Sequence, residues 1–109
     1  MSPHRGEIWW VDLNPTRGGE INKKRPCVVL SVGVINHRRK TAVVVPLSTS
    51  PTVRPPLTVA VSCAGRASVA VIDQIRATAK ERFSSKIGSI SDSEMEALED
   101  SVREVLGIF

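Results

Sequence analysis

Cys27-Val-Val-Leu-Ser-Val32, Asn36-His-Arg-Arg-Lys40 and Thr41-Ala-Val-Val-Val-Pro-Leu47 form the stretch whose reading decides the fold. Two short apolar runs rich in β-branched residues flank a polar, basic segment. Their length and composition predict strands. The first run is apolar enough to be buried on both faces. The basic segment between them reads as a turn. Paired as antiparallel neighbours, the two strands set the start of one beside the end of the other.

On the N-terminal side, Glu7-Ile-Trp-Trp-Val-Asp-Leu13 predicts a first strand, broken by Asn14-Pro15. Residues 16–25 then form a polar loop containing Gly18 and Gly19. On the C-terminal side, residues 48–56 carry Pro51, Pro55 and Pro56, which excludes a central strand there. Leu57–Val61 alternates, Cys63-Ala-Gly-Arg66 reads as a turn, and Ser68–Ile75 reads as another strand. Lys80-Glu-Arg-Phe-Ser84 fits a single helical turn. Five or so short strands with turns between them predict a small barrel or sandwich. The last segment is helical: Ser91-Asp-Ser-Glu94 is a capping box, and Met95, Leu98, Val102, Val105 and Leu106 recur on one face before Gly107. The expectation is a mainly β single domain over residues 1–109, with a C-terminal helix.

Composition limits the function classes. The 109 residues are 41% apolar and 24% charged, within the range of folded soluble domains. No apolar run approaches the roughly 20 residues of a membrane span, and the first residues carry no apolar signal segment. Cys27 and Cys63 fit neither a disulfide framework nor a CxxC pair. A cytoplasmic location is therefore expected. The net charge of +4 hides a division. Residues 1–90 hold fourteen Lys and Arg against five Asp and Glu, a net of +9; residues 91–109 hold Arg103 against six acids, a net of −5. A basic body of this kind attracts polyanions, although a solvated surface with ordinary scatter gives similar counts.

His4 and His37 have no second ligand at a metal spacing, and no phosphate-loop, dinucleotide or nucleophile-elbow motif occurs. No metal and no cofactor is expected. The polar loop is more informative: Arg17-Gly-Gly-Glu-Ile-Asn-Lys-Lys-Arg-Pro26 sets a carboxylate and three consecutive cations ahead of a strand. Arg25, fixed by Pro26, offers a guanidinium fork to a phosphate, while Lys23 and Lys24 add less directional charge. The same pattern also suits a plain soluble turn. Ser48, Thr49 and Ser50 follow the 41–47 strand, so antiparallel pairing puts Arg25 and Ser48 at one end of the sheet. A cation, a hydroxyl and the Glu20 carboxylate are the elements needed to cleave RNA without a metal, because RNA carries its own 2′-OH nucleophile. In that scheme Glu20 is the candidate base, Arg25 the charge stabiliser and acid, and Ser48 an orienting hydroxyl.

Arg5-Gly-Glu-Ile-Trp-Trp-Val-Asp-Leu-Asn-Pro-Thr-Arg-Gly-Gly-Glu20 followed by Lys24-Arg-Pro-Cys-Val-Val-Leu-Ser31 resembles the opening signature of the MazF/PemK toxins. Val43-Val-Val-Pro-Leu-Ser-Thr49, Ile72-Asp-Gln-Ile-Arg-Ala-Thr78 and the closing Val105-Leu-Gly107 follow in the family's order. The resemblance implies an SH3-like small barrel (MazF/CcdB-like), a homodimer, and the toxin half of a type II toxin–antitoxin module. It implies a metal-independent, sequence-specific endoribonuclease (an mRNA interferase) that cuts single-stranded RNA to a 2′,3′-cyclic phosphate and a 5′-OH. A cognate antitoxin would block it with an extended acidic segment; no membrane is involved. Arg25 falls on the family's catalytic arginine, Glu20 on its loop glutamate, and Ser48 where many members have threonine, with Thr49 the neighbouring alternative. Thr16, Arg17, Gly19, Lys23, Lys24, Arg54, Asp73, Gln74 and Arg76 are the candidate RNA contacts, and Asp73 fits a structural role equally. The chain departs from the family pattern at Ile21, where glutamine is usual, at Lys23, where glycine is common, and at Val71, where some members have arginine. Two other readings compete: a toxin of the same fold that binds a protein such as gyrase, and a non-catalytic RNA-binding module.

Overall fold

The computed structural model describes residues 2–49 and 52–108. Its elements in chain order are β1 (Glu7–Asp12), β2 (Lys24–Val29), α1 (Gly33–Arg38), β3 (Thr41–Ser48), β4 (Thr58–Cys63), β5 (Arg66–Val71), β6 (Arg76–Ala79), β7 (Phe83–Ser89) and α2 (Asp92–Leu106). Single 3-10 turns occupy Ile72–Gln74 and Lys80–Arg82. The seven strands form one sheet in the order β4-β5-β3-β2-β1-β7, with β6 also paired to β3. This is the mainly β, SH3-like architecture with a C-terminal helix that the sequence implies.

β3 holds the sheet together. Its residues 44–46 pair with β2 in the register Cys27↔Pro46, Val28↔Val45, Val29↔Val44. Its first half pairs with β6 from Thr41↔Ala79 to Val44↔Arg76, and its end pairs with β5 at Leu47↔Ala70 and Ser48↔Val69. Pro46, which has no N–H to donate, sits between the β6-paired and β5-paired halves. Alternating side chains feed two apolar clusters on opposite faces. Ile8, Val28, Val45, Leu47, Val61, Ile72 and Leu98 belong to the cluster beneath α2, and Val11, Leu13, Cys27, Val29, Val44 and Phe83 to the other.

Several sequence expectations are corrected. The basic segment read as a turn ends a short helix, α1, because the buried Asn36 amide locks it in place. Asn36 Nδ2 donates to Ser31 O at 2.7 Å, its Oδ1 accepts from Ser31 Oγ, and Ser31 Oγ accepts from Val43 N at 2.9 Å. The strand expected over 68–75 stops at Val71, where the Ile72–Gln74 turn intervenes, and β6 and β7 supply two strands not foreseen. β7 exists through its pairing with β1, with register shifts on both sides of Trp9. β3 reaches Ser48, one residue into the expected loop; Ser50 lies outside the described residues. Cys63, read as the start of a turn, instead ends β4 and is buried. In α2 the capping box is present, with Glu94 N donating to Ser91 Oγ at 3.2 Å and Ser91 N donating to Glu94 Oε1 at 2.8 Å. Gly107 ends the helix in the left-handed conformation, with φ at 68°. Leu98 is buried and Met95, Val102 and Val105 pack beside it, whereas Leu106 is outside the apolar seam and half exposed.

The β1–β7 seam carries a charge in an unusual setting. Burial pushes the Glu7 carboxyl up, but hydrogen bonds from His4 N (2.7 Å), Trp9 Nε1 (3.0 Å) and Lys86, with the Lys86 charge 3.0 Å away, outweigh it and hold the group down to about 2. A carboxyl depressed in the folded state stabilises the fold above its ordinary value of about 4.5, and that stability is lost as pH falls toward 2. Denaturation midpoints of the protein and Glu7→Gln should therefore differ most above pH 4.5 and converge toward pH 2. A constant difference across that window would show that the ionised carboxylate contributes nothing.

Candidate active site

β2 enters the sheet with Lys24 and Arg25 at its start, and β3 leaves it with Leu47 and Ser48 at its end. Continuing the register from Cys27↔Pro46 by two residues sets Arg25 opposite Ser48. A cleft of about 490 Å³ opens at this point, and Lys24, Arg25, Ser48 and Thr49 line it. Arg25 is half-buried, and its Nε donates to Asn22 O at 3.2 Å, which leaves the rest of the guanidinium fork for a ligand. These residues line one cleft because antiparallel pairing joins the two strand ends, and Arg25 and Ser48 lie at the same end of the sheet as the sequence implied.

The far wall was not foreseen. It is the β4–β5 hairpin, whose two-residue turn Ala64-Gly65 has φ values of 51° and 77°, matching the primed turn that suits strand twist. This hairpin brings Arg66 and Ser68 into the cleft, with Cys63 beside them. Arg66 is exposed and has no ion pair among the described residues. Trp10 also lines the cleft and is 39% exposed, whereas Trp9 lies half-buried edge-to-face on Phe83 at 6.0 Å. Of Trp9, Trp10 and Phe83, Trp10 alone lines the cleft; alternation along β1 sends the two tryptophans to opposite faces. Burial raises the Cys63 thiol above its ordinary range, which disfavours the thiolate.

The remaining candidates divide by location. Glu20, Arg17, Gly19 and the half-buried Thr16 lie on the 14–23 loop, outside the cleft lining. Glu20 Oε1 accepts the Arg17 N–H at 2.6 Å and Glu20 N donates to Arg17 O at 3.1 Å, so the carboxylate closes its own turn. Lys23 sits at φ 68°, a left-handed conformation that favours glycine, and its N–H donates to Asn14 Oδ1 at 3.2 Å. The departure from glycine at this position therefore places a side chain on a backbone built for none. Arg54 is exposed on the 52–57 segment, where its N–H donates to Thr58 Oγ1 at 2.6 Å. Arg76 directs Nη1 to Leu13 O at 3.3 Å, and Asp73 is exposed on its 3-10 turn.

Gln74 has the clearest structural task of these residues. Its Oε1 accepts the Ile21 N–H at 3.2 Å and its Nε2 donates to Gly19 O at 3.3 Å, so one amide grips the loop backbone on either side of Glu20. Removing it exposes the Ile21 amide to solvent. Net hydrogen bonds of about 1 kcal/mol each predict that Gln74→Ala speeds hydrogen exchange at Ile21 about tenfold or more, with little change in thermal unfolding. Unaltered exchange would show that the loop is held some other way.

Among the described residues no group of three His, Cys, Asp or Glu is placed to hold a metal ion, and no helix is long and apolar enough to cross a membrane.

Comparison with known proteins fixes the family. Residues 4–106 match the model of the PemK-like, MazF-like toxin of type II toxin–antitoxin systems. The chain is 31% identical over 106 residues to the endoribonuclease toxin MazF of Escherichia coli (strain K12), covering 96% of this chain and 95% of that protein. It is 35% identical over 108 residues to endoribonuclease MazF9 of Mycobacterium tuberculosis, covering 91% and 92%. Its fold matches the structure of MazF from Deinococcus radiodurans with a TM-score of 0.88 at 20% identity, over 98% of each chain. It also matches an endoribonuclease in complex with its cognate antitoxin from Mycobacterial species, with a TM-score of 0.83 at 21% identity over 99% and 98%. The family signature spans both strands of the Arg25 cleft, and this chain belongs to the PemK-like, MazF-like toxins of type II toxin–antitoxin systems.

Proposed function

We propose that this chain is an endoribonuclease toxin that cuts single-stranded RNA in the Arg25 cleft without a metal, and that a cognate antitoxin silences it by covering that cleft. The observation that carries the reading is the convergence of Arg25 with Ser48 and Thr49 in one groove, in a chain whose relatives are named endoribonucleases. The chemistry follows from the substrate. The ribose O2′ attacks the neighbouring phosphorus, the new O2′–P bond forms as the P–O5′ bond breaks, and a 2′,3′-cyclic phosphate and a 5′-OH result. Charge gathers on the non-bridging oxygens in between. Arg25 meets it with a fork of donors and passes a proton to the departing O5′, which it recovers from solvent water. Ser48, or Thr49 beside it, orients the phosphate. The O2′ proton needs a base; Glu20 takes that part once the 14–23 loop folds onto bound RNA and its carboxylate leaves the Arg17 amide. Trp10 gives a flanking base an apolar face, and Lys24 adds charge at the rim.

The toxin works as a homodimer in this reading. Val32, Val34 and Ile35 at α1 are exposed, Val34 at 67%, and this cluster offers a second copy an apolar patch. Val34→Asp/Ile35→Asp should shift sedimentation from dimer to monomer at micromolar protein; an unchanged dimer would place the contact elsewhere.

Cleavage of a long unstructured RNA tests the chemistry. Arg25→Ala should lower the rate by roughly 100-fold or more, the cost of losing one positioned charge stabiliser, while thermal unfolding barely moves. EDTA should leave wild-type turnover and the cyclic-phosphate ends intact. Ser48→Ala against Thr49→Ala identifies the hydroxyl, and Glu20→Gln tests the base. Retained turnover in Arg25→Ala, or a metal requirement, would overturn the mechanism.

A further inference from the structure

The other concentration of charge lies at the opposite end of β3. A second cleft, of about 610 Å³, is lined by His37, Arg38, Arg39, Lys40, Lys80 and Glu81, among others. It forms where the end of α1 and the start of β3 meet the end of β6: Thr41 pairs with Ala79, and Lys80 N donates to Lys40 O at 2.9 Å. That main-chain bond holds two lysines at one rim. Among the described residues Arg38, Arg39, Lys40 and Lys80 have no ion pair, and Glu81 is the single acid of the lining. With histidine neutral, the cleft carries four cations against one carboxylate, a formal +3. Like charges gathered in a concavity repel one another, and a polyanion relieves that repulsion.

We infer that this second cleft is an anchoring site for the sugar–phosphate backbone of RNA, upstream or downstream of the bond being cut. The inference rests on the endoribonuclease reading and extends it. β3 spans the distance between the two clefts, with Thr41 at one and Ser48 at the other. Seven residue steps at roughly 3.3 Å put them about 23 Å apart. An RNA long enough to reach both is held at two points; a short oligonucleotide filling the Arg25 cleft is held at one. The anchoring is largely indifferent to sequence, because the lining holds no Phe, Tyr or Trp, and His37 is its single ring among charged and small side chains that meet phosphate. It also favours phosphate over an acidic protein segment. Such a segment draws its affinity from apolar anchors seated in pockets, and the lining offers Ala79 alone.

The test uses the Arg25→Ala background, so that RNA stays intact, and compares it with the same protein carrying Arg38→Gln, Arg39→Gln, Lys40→Gln and Lys80→Gln. Fluorescence anisotropy is read with a long unstructured RNA and with an oligonucleotide too short to span the two clefts. The added substitutions should weaken the long RNA about tenfold and lower the slope of log affinity against log salt by roughly 2, as expected for three or so lost phosphate contacts at about 0.7 each. The short oligonucleotide should bind unchanged. Arg38→Lys/Arg39→Lys should keep the affinity, which separates charge from folding; if the quadruple variant fails to fold, Arg39→Gln/Lys40→Gln replaces it. Equal binding of the long RNA by both proteins, or an equal loss on the short oligonucleotide, would overturn the site. So would a loss confined to a poly-glutamate peptide, which would assign the cleft to an acidic partner. Because these readings need no cleavage, failure of the anchoring site and failure of the Arg25 chemistry are separately visible.

Discussion

The pairing of β3 with three other strands is the constraint from which the rest of the molecule follows. One strand meets β2 on one side and, on the other, β6 and then β5. The change of partner at Pro46 lets the sheet curl without losing a ladder donor that a different residue would have carried. That curl carries the β4–β5 hairpin over the end of β2, so a groove forms where the two strand ends meet. The same strand fixes the second cationic cleft at its opposite end through Thr41↔Ala79. The spacing of the two clefts is therefore a property of strand length and not of any flexible loop.

What could be read from sequence was local or periodic. The Ser91–Glu94 capping box and the Gly107 terminator are short-range signals, and both ends of α2 are where they place them. The apolar runs of β2 and β3 identify themselves and, once paired, bring Arg25 and Ser48 to the same end of the sheet. What escaped depends on contacts distant in the chain. α1 contains no periodic apolar face, and its anchor is Asn36, a residue of modest helix propensity held by the Ser31 side chain and carbonyl. β7 reads as Phe-Ser-Ser-Lys-Ile-Gly-Ser, too polar to announce a strand, and becomes one because β1 offers it an edge. Arg66 and Trp10 join the cleft through sheet curvature, which no spacing in the sequence encodes.

The loop after β1 shows a division of labour. Glu20 and Arg17 form a self-contained turn, Gln74 grips the loop from the 3-10 segment, and Arg76 and Arg82 hold the end of β1 through the carbonyls of Leu13 and Asp12. Residues that the linear sequence offers as RNA contacts thus also hold the loop in shape. The left-handed Lys23 sits at its hinge, where the loop returns to β2. Charge is partitioned in the same spirit. The acids of α2 sit on the helix, where Glu99 pairs with Arg5 and Asp100 with Arg103, which leaves the cations at both ends of β3 uncompensated.

Glu94 reaches beyond its helix cap. While Oε1 accepts from Ser91, Oε2 accepts the Ser62 N–H at 2.6 Å. Burial pushes this carboxyl up, but the Ser91 and Ser62 donors prevail and keep it low and ionised. Ser62 lies on β4, the terminal strand of the sheet, and its outward amide would otherwise be open to a foreign strand. A single glutamate thus starts a helix and takes one outward donor of that border out of reach of edge-on polymerisation.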